Sequence, residues 1–172
     1  MIFSSLFNDA SLKPKERTES LGKLLLENPL IVDDLLIFAG ASKDPVKATC
    51  IEALEFATAV NPGIATKTCF DFVTSALTAK APRIKWEAAR VIGNIAHLFP
   101  EQLGLTIINL LINTEHSGTV VRWSAATALG RILRLKTINN TELIPAIETI
   151  VNREEKNSIR KIYLEALKKT GK

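Results

Sequence analysis

The 172-residue chain is poor in the residues on which covalent and metal-held chemistry is built. It has two cysteines, Cys50 and Cys69, with no C-x-x-C pair and no Cys/His cluster, so the spacings that hold structural zinc are missing. The two thiols lie at similar distances from the Asn61-Pro62-Gly63 turn, but free thiols acting as small core side chains are the expectation. Histidine is as scarce. His97 falls near a helix end, and His116 stands in a loop between Glu115 and Ser117. A His next to a Ser in sequence is not a catalytic pair, because such groups are assembled by geometry. There is no Gly-rich phosphate loop, and no two carboxylates stand out as an acid/base couple. No catalytic residue, cofactor or metal is therefore expected. No apolar run approaches the roughly 20 residues needed to cross a bilayer, and the N-terminus lacks the basic region and long apolar stretch of a signal peptide. Taken as complete, the chain is expected to be cytoplasmic and to leave membranes alone. No window alternates with a strand period.

What the chain has is apolar side chains, 47% of the total, with a mean hydropathy of +0.15. That balance suits helices buried on two sides, and the length is enough for one sizeable core. The net charge of +4 is uneven. Residues 1–79 hold seven Lys/Arg and ten Asp/Glu, while residues 80–172 hold fifteen and eight. A basic C-terminal half suits an acidic partner or a phosphate backbone, and also serves ordinary solubility.

The chain repeats. Val121-Arg122-Trp123-Ser124-Ala125-Ala126-Thr127-Ala128-Leu129-Gly130-Arg131-Ile132 aligns with the segment opened by Ile84, 37 residues earlier, and that one with the segment opened by Val46, 38 earlier. Ile159, 38 residues after Val121, opens a fourth. A fixed period of this size marks an array in which each unit buries its apolar face only against its neighbours. Apolar residues fall 0, 4, 7 and 8 places from each opener and 11 places from the first three, with Thr170 at the end of the fourth, which is one face of an α-helix. Asp44, Thr119 and Asn157 precede three openers by two and read as N-caps. A basic residue follows every opener: Lys47, Lys85, Arg122 and Arg160.

Second helical patterns lie at 29–39, 63–79, 101–113 and 141–153, punctuated by Asn28-Pro29, Asn61-Pro62-Gly63, Phe99-Pro100 and Asn139-Asn140. The expectation is an all-α, single-domain chain of four helical hairpins, 29–60, 63–98, 101–136 and 141–172. An N-terminal cap, 1–28, comprises a helix over 15–27 and a short one over 3–10.

The pattern V-R-x-x-A-A-x-A-L-G-x-I at 121–132 resembles the second helix of a HEAT repeat, in the bacterial HEAT-like form found in phycobilisome lyases. Asp44-Pro45-Val46-Lys47 is similar to that family's D-P-x-V-R entry, one residue shorter. The resemblance covers about 29–172, most closely over 82–95 and 119–132, and implies a right-handed α-α superhelix. Gly93 and Gly130 fit its pattern. A mid-helix Gly costs about 1 kcal/mol against Ala, so close approach of a neighbouring helix is expected there.

Trp86 and Trp123 share the column two after the opener, so they are expected on adjacent stacked helices, roughly 8–10 Å apart. Arg90 follows Trp86 by one turn; Asn94 and His97 continue that face, as Arg131 and Arg134 do on the next helix. The resemblance puts second helices on the concave side. Trp86, Arg90, Trp123, Arg131 and Arg134 are thus the candidate partner-binding strip, of the residue types that dominate interface hot spots. The expected function is a non-catalytic scaffold or adaptor holding a protein or peptide, acidic by preference, in its groove. The alternatives are a nucleic-acid-binding groove like that of the HEAT-like DNA glycosylases, whose motif finds no match here beyond Glu87 beside Trp86, and a bilin-lyase-like accessory role resting on analogy.

Overall fold

The computed structural model describes residues 2–171, so the expected domain limits at 1 and 172 lie outside the described residues. Among the described residues ten α-helices follow one another: α1 (Ile2–Asn8), α2 (Pro14–Glu27), α3 (Val32–Gly40), α4 (Asp44–Val60), α5 (Lys67–Ala76), α6 (Pro82–Ile95), α7 (Leu103–Asn113), α8 (Thr119–Arg134), α9 (Asn140–Arg153) and α10 (Asn157–Lys168). There is no strand among the described residues. The Asn-Pro and Phe-Pro breakers carry single 3₁₀ turns, Pro29–Ile31, Pro62–Ile64 and Pro100–Gln102, which swing the chain from one hairpin to the next.

The helices form two layers. The even-numbered ones pack in unbroken succession, α2 on α4, α4 on α6, α6 on α8 and α8 on α10, whereas α3, α5 and α7 touch more sparsely. In a two-layer stack the tighter layer is the inner one, so α2, α4, α6, α8 and α10 line the concave face. Their apolar columns make the core: Cys50, Leu54, Ala88, Ile92, Ala125, Leu129 and Ile132 are fully buried, and of the four openers only Val46 is half-buried.

Small residues let this inner layer close up. A Cβ on Gly93 would stand 3.4 Å from the Arg131 side chain and 3.7 Å from Ala128 Cα, and one on Gly130 would stand 3.4 Å from Ala166 Cβ. The Phe56 ring of α4 covers Gly22 of α2 in the same manner. The close approach expected at the mid-helix glycines is present at both.

The expected caps need correction. Asp44, Thr119 and Asn157 are the first residues inside α4, α8 and α10, behind Lys43, Gly118 and Lys156, and no side-chain cap bond forms at these ends. Other groups order two of the entries. At α10 Glu154 accepts the Lys156 N–H (3.0 Å), and at α8 His116 Nδ1 accepts the Gly118 N–H (2.8 Å).

The basic column after the openers is structural where its bonds are seen. Lys85 Nζ donates to the Leu77 carbonyl (3.1 Å) at the end of α5 and to Asn113 Oδ1 (2.9 Å). Arg122 donates to the carbonyls of His116 and Ser117 and pairs with Glu154. These cations satisfy chain-end carbonyls where a helix or loop stops, the place where positive charge is favoured.

Candidate functional site

The concave face of α8 is set by helical spacing. Val120, Trp123, Thr127, Arg131 and Arg134 follow at intervals of three or four and share one stripe, exposed except at the half-buried Thr127. Trp123 is 42% exposed. Arg131 bends toward α6, where it donates to Asn94 Oδ1 (2.7 Å). Asn94 passes the link on, donating to the Glu55 carbonyl and to Thr58 Oγ1, both at 3.2 Å. Arg134 stands exposed at the helix end.

One helix back the same register is occupied differently. Trp86 is half-buried, and its Nε1–H donates to Glu87 Oε1 (3.0 Å). Arg90 donates to Glu87 Oε2 (3.3 Å) and pairs with Glu55 of α4 (3.2 Å). Arg83 pairs with Glu52 (2.7 Å), which also accepts from Thr18 of α2 (3.1 Å). Glu87 is only 4% exposed. Burial pushes its carboxyl above the usual range and the Glu52 charge adds to this, while the Trp86 N–H and the Arg90 and Arg83 guanidiniums pull the other way.

The five expected strip residues therefore sit on two adjacent helices but do not form one uniform surface. Trp86 and Arg90 are drawn into a network with Glu87 and Glu55. Trp123, Arg131 and Arg134 face the open groove. The ring pairs among the described residues are all between phenylalanines, and none joins the two indoles. Sequence reading missed the carboxylates Glu52 and Glu55. Their signal was present: they stand on α4 at the registers of Arg90 and Gly93 on α6.

A second polar cluster fills the outer side of the α7–α8 loop, where a cleft of about 400 Å³ is lined by Thr114, His116, Arg122, Arg153 and Glu154. Its arginines are engaged. Arg122 Nε donates to Glu154 (3.0 Å), and Arg153 pairs with Glu115 (2.7 Å) and donates to Thr114 Oγ1 (2.7 Å). Glu154 is buried. Burial pushes its carboxyl up, but the Lys156 N–H and Arg122 outweigh this and hold it below the usual range.

Both oxygens of Glu87 are hydrogen-bonded inside the protein, to the Trp86 and Arg90 side chains. Cys50 and Cys69 are free, buried thiols pushed up to about 12 by burial, so they are not thiolates at neutral pH. Among the described residues no group of three or more His, Cys, Asp or Glu is placed to hold a metal ion, and no helix is long and apolar enough to cross a membrane.

No protein-family model matches the chain, and no curated protein matches it. Solved structures do. One is a designed armadillo repeat protein in complex with the peptide (KR)4, with a TM-score of 0.73 and 13% identity over 98% of this chain and 80% of that one. Another is the complex of CpcE and CpcF of phycocyanin lyase from Nostoc sp. PCC7120, with a TM-score of 0.72 and 17% identity over 96% and 95% of the two chains. A third is a computationally designed armadillo repeat protein for modular peptide recognition, with a TM-score of 0.69 and 14% identity over 97% and 80%. The tight inner layer of second helices, the 37–38-residue period and these likenesses agree on one architecture: the chain has the armadillo/HEAT-like helical-repeat fold.

Proposed function

We propose that this protein is a non-catalytic scaffold that holds a protein or peptide segment along the groove of its second helices. Of the five candidate strip residues, Trp123, Arg131 and Arg134 are the contacts, and Trp86 and Arg90, bonded to Glu87 and Glu55, support the groove floor beside them. The observation that carries the reading is the stripe on α8: an indole left 42% exposed with two arginines on the same helix face. Trp and Arg together supply contact area and directed bonds at interfaces. Two of the similar structures are peptide binders by their own descriptions, which supports a groove of this shape taking an extended chain.

The first test is optical. In single-tryptophan variants Trp86→Phe and Trp123→Phe, acrylamide should quench Trp123 strongly and Trp86 weakly. A fully shielded Trp123 would sink the proposal before any partner is sought. With Trp123 accessible, Trp123→Ala should weaken capture of a peptide ligand while the far-UV circular dichroism and melting temperature stay close to wild type.

A further inference from the structure

The scaffold reading treats the groove as one surface, but its charge changes along its length. At the α4–α6 junction the arginines already have partners: Arg83 meets Glu52, and Arg90 lies between Glu55 and Glu87. Three carboxylates face two guanidiniums there, and nothing cationic is left over in that network. At the α8–α10 junction the balance is reversed. Arg131 and Arg134 on α8 are joined by Lys161 and Lys169, which stand on or just beyond α10 at the registers of Trp123 and Arg131. All four are exposed. The facing carboxylate is Glu165, 3.9 Å from Lys161. Arg131 spends one guanidinium contact on the neutral amide of Asn94, which positions its charge without cancelling it. Trp123 lies 42% exposed within this basic patch.

Resting on the scaffold reading, we infer that the bound segment is an acidic peptide whose carboxylates lie across α8 and α10 beside the Trp123 ring, and that the α4–α6 stretch takes no charge from it. An extended chain advances ~3.3 Å per residue and packed helices stand ~8–10 Å apart, so about three residues pass each helix. The cationic stretch therefore matches a short acidic run carrying one apolar side chain for the indole. Arg90 and Trp86 act as positioning residues that hold the groove floor through Glu87.

The experiment uses the full chain and a fluorescein-labelled peptide of alternating Glu and Leu, read by polarisation, with the basic peptide (KR)4 and a thymidine oligonucleotide as the other probes. The acidic peptide should bind, and Arg131→Ala with Arg134→Ala should weaken it about tenfold or more, as loss of two interfacial charges does. Arg83→Gln with Arg90→Gln should change it less than about threefold. Glu52→Gln with Glu55→Gln removes the acidic partner of Arg83 and one of the two of Arg90, and should tighten binding several-fold, a gain that a damaged fold cannot mimic. Equal losses from the two arginine pairs would overturn the division of the groove while leaving the scaffold standing. Preference for (KR)4 would overturn the sign of the partner. Tighter binding of the oligonucleotide, collapsing between about 50 and about 200 mM salt, would replace a peptide by a nucleic acid. Failure of every probe together with a shielded Trp123 would overturn the scaffold itself.

Discussion

Glu87 and Glu154 are both nearly buried, both hold an arginine, and their carboxyls move in opposite directions. Glu87 stands on the concave side, where Glu52 and Glu55 crowd the same two arginines, and burial wins: its proton is held more tightly than usual. Glu154 stands on the outer side of the last two repeats, with the Lys156 N–H and the Arg122 fork to itself, and its proton is held less tightly. Burial alone does not decide the state of a carboxylate; the ratio of acids to donors around it does. The same ratio separates the two halves of the groove, saturated at α4–α6 and left cationic at α8–α10.

The sharpest way to break the comparison is to neutralise each acid. Glu154→Gln removes the charge from a part-buried bond to Arg122 and should cost about 2 kcal/mol, the range for hydrogen bonds to charged groups, or roughly 4–8 °C in melting temperature for a chain of this size. Glu87→Gln keeps an acceptor for the Trp86 N–H, and Arg90 retains Glu55, so no uncompensated charge is buried and the change should stay under about 1 kcal/mol. Equal costs would mean the two sites are alike and the comparison is wrong.

Acidification should separate them further. The Glu154 carboxyl is depressed in the folded state, so its stabilisation is present above the unfolded value of about 4.3 and is lost as pH falls through the lower folded value. The deficit of Glu154→Gln should therefore shrink as pH falls from the unfolded value toward the folded one and be gone below it. Glu87 is raised, so the folded state takes up its proton first, and the wild type should gain on Glu87→Gln as pH falls through that raised value. Thermal melts of the three proteins from neutral pH downward would check this. Parallel curves would remove the electrostatic distinction.

The fold was legible because period and apolar columns carry it. The openers, the buried Ala columns and the Asn-Pro breakers state a stack of hairpins without help from tertiary detail. The site was legible only in part. Trp86 and Trp123 occupy the same register and differ locally in the next residue, Glu87 against Ser124, and Glu87 accepts the Trp86 N–H. What the local sequence does not state is the part of Glu55, 31 residues before Trp86, which pairs with Arg90 beside Glu87. The expected caps failed for a related reason: Lys156 N–H finds Glu154, and Gly118 N–H finds the His116 ring. Hydropathy also misled at α7, where Leu105, Ile108 and Ile112 are 56–63% exposed on the outer layer instead of packed between neighbours.

The smallest predicted effects test how each half closes its inner layer. Gly22 and Gly93 are both mid-helix, and alanine should add up to about 1 kcal/mol of helix propensity at either. The surroundings differ. A Cβ at Gly22 would collide with the Phe56 ring, a rigid group half-buried between α2 and α4, which can yield only by moving as a unit. At Gly93 the nearest atoms are 3.4 Å away and belong to the aliphatic stem and tip of Arg131, a flexible chain that is exposed at its end. Gly22→Ala should thus lower the melting temperature, the clash exceeding the propensity gain, and Gly93→Ala should raise it by a degree or two. Stabilisation at Gly22 would mean that the aromatic seal of the acidic half is as pliable as the arginine of the basic half. Destabilisation at Gly93 would mean that Arg131 is clamped through Asn94. It would then be part of the wall, and the cationic patch would begin at Arg134.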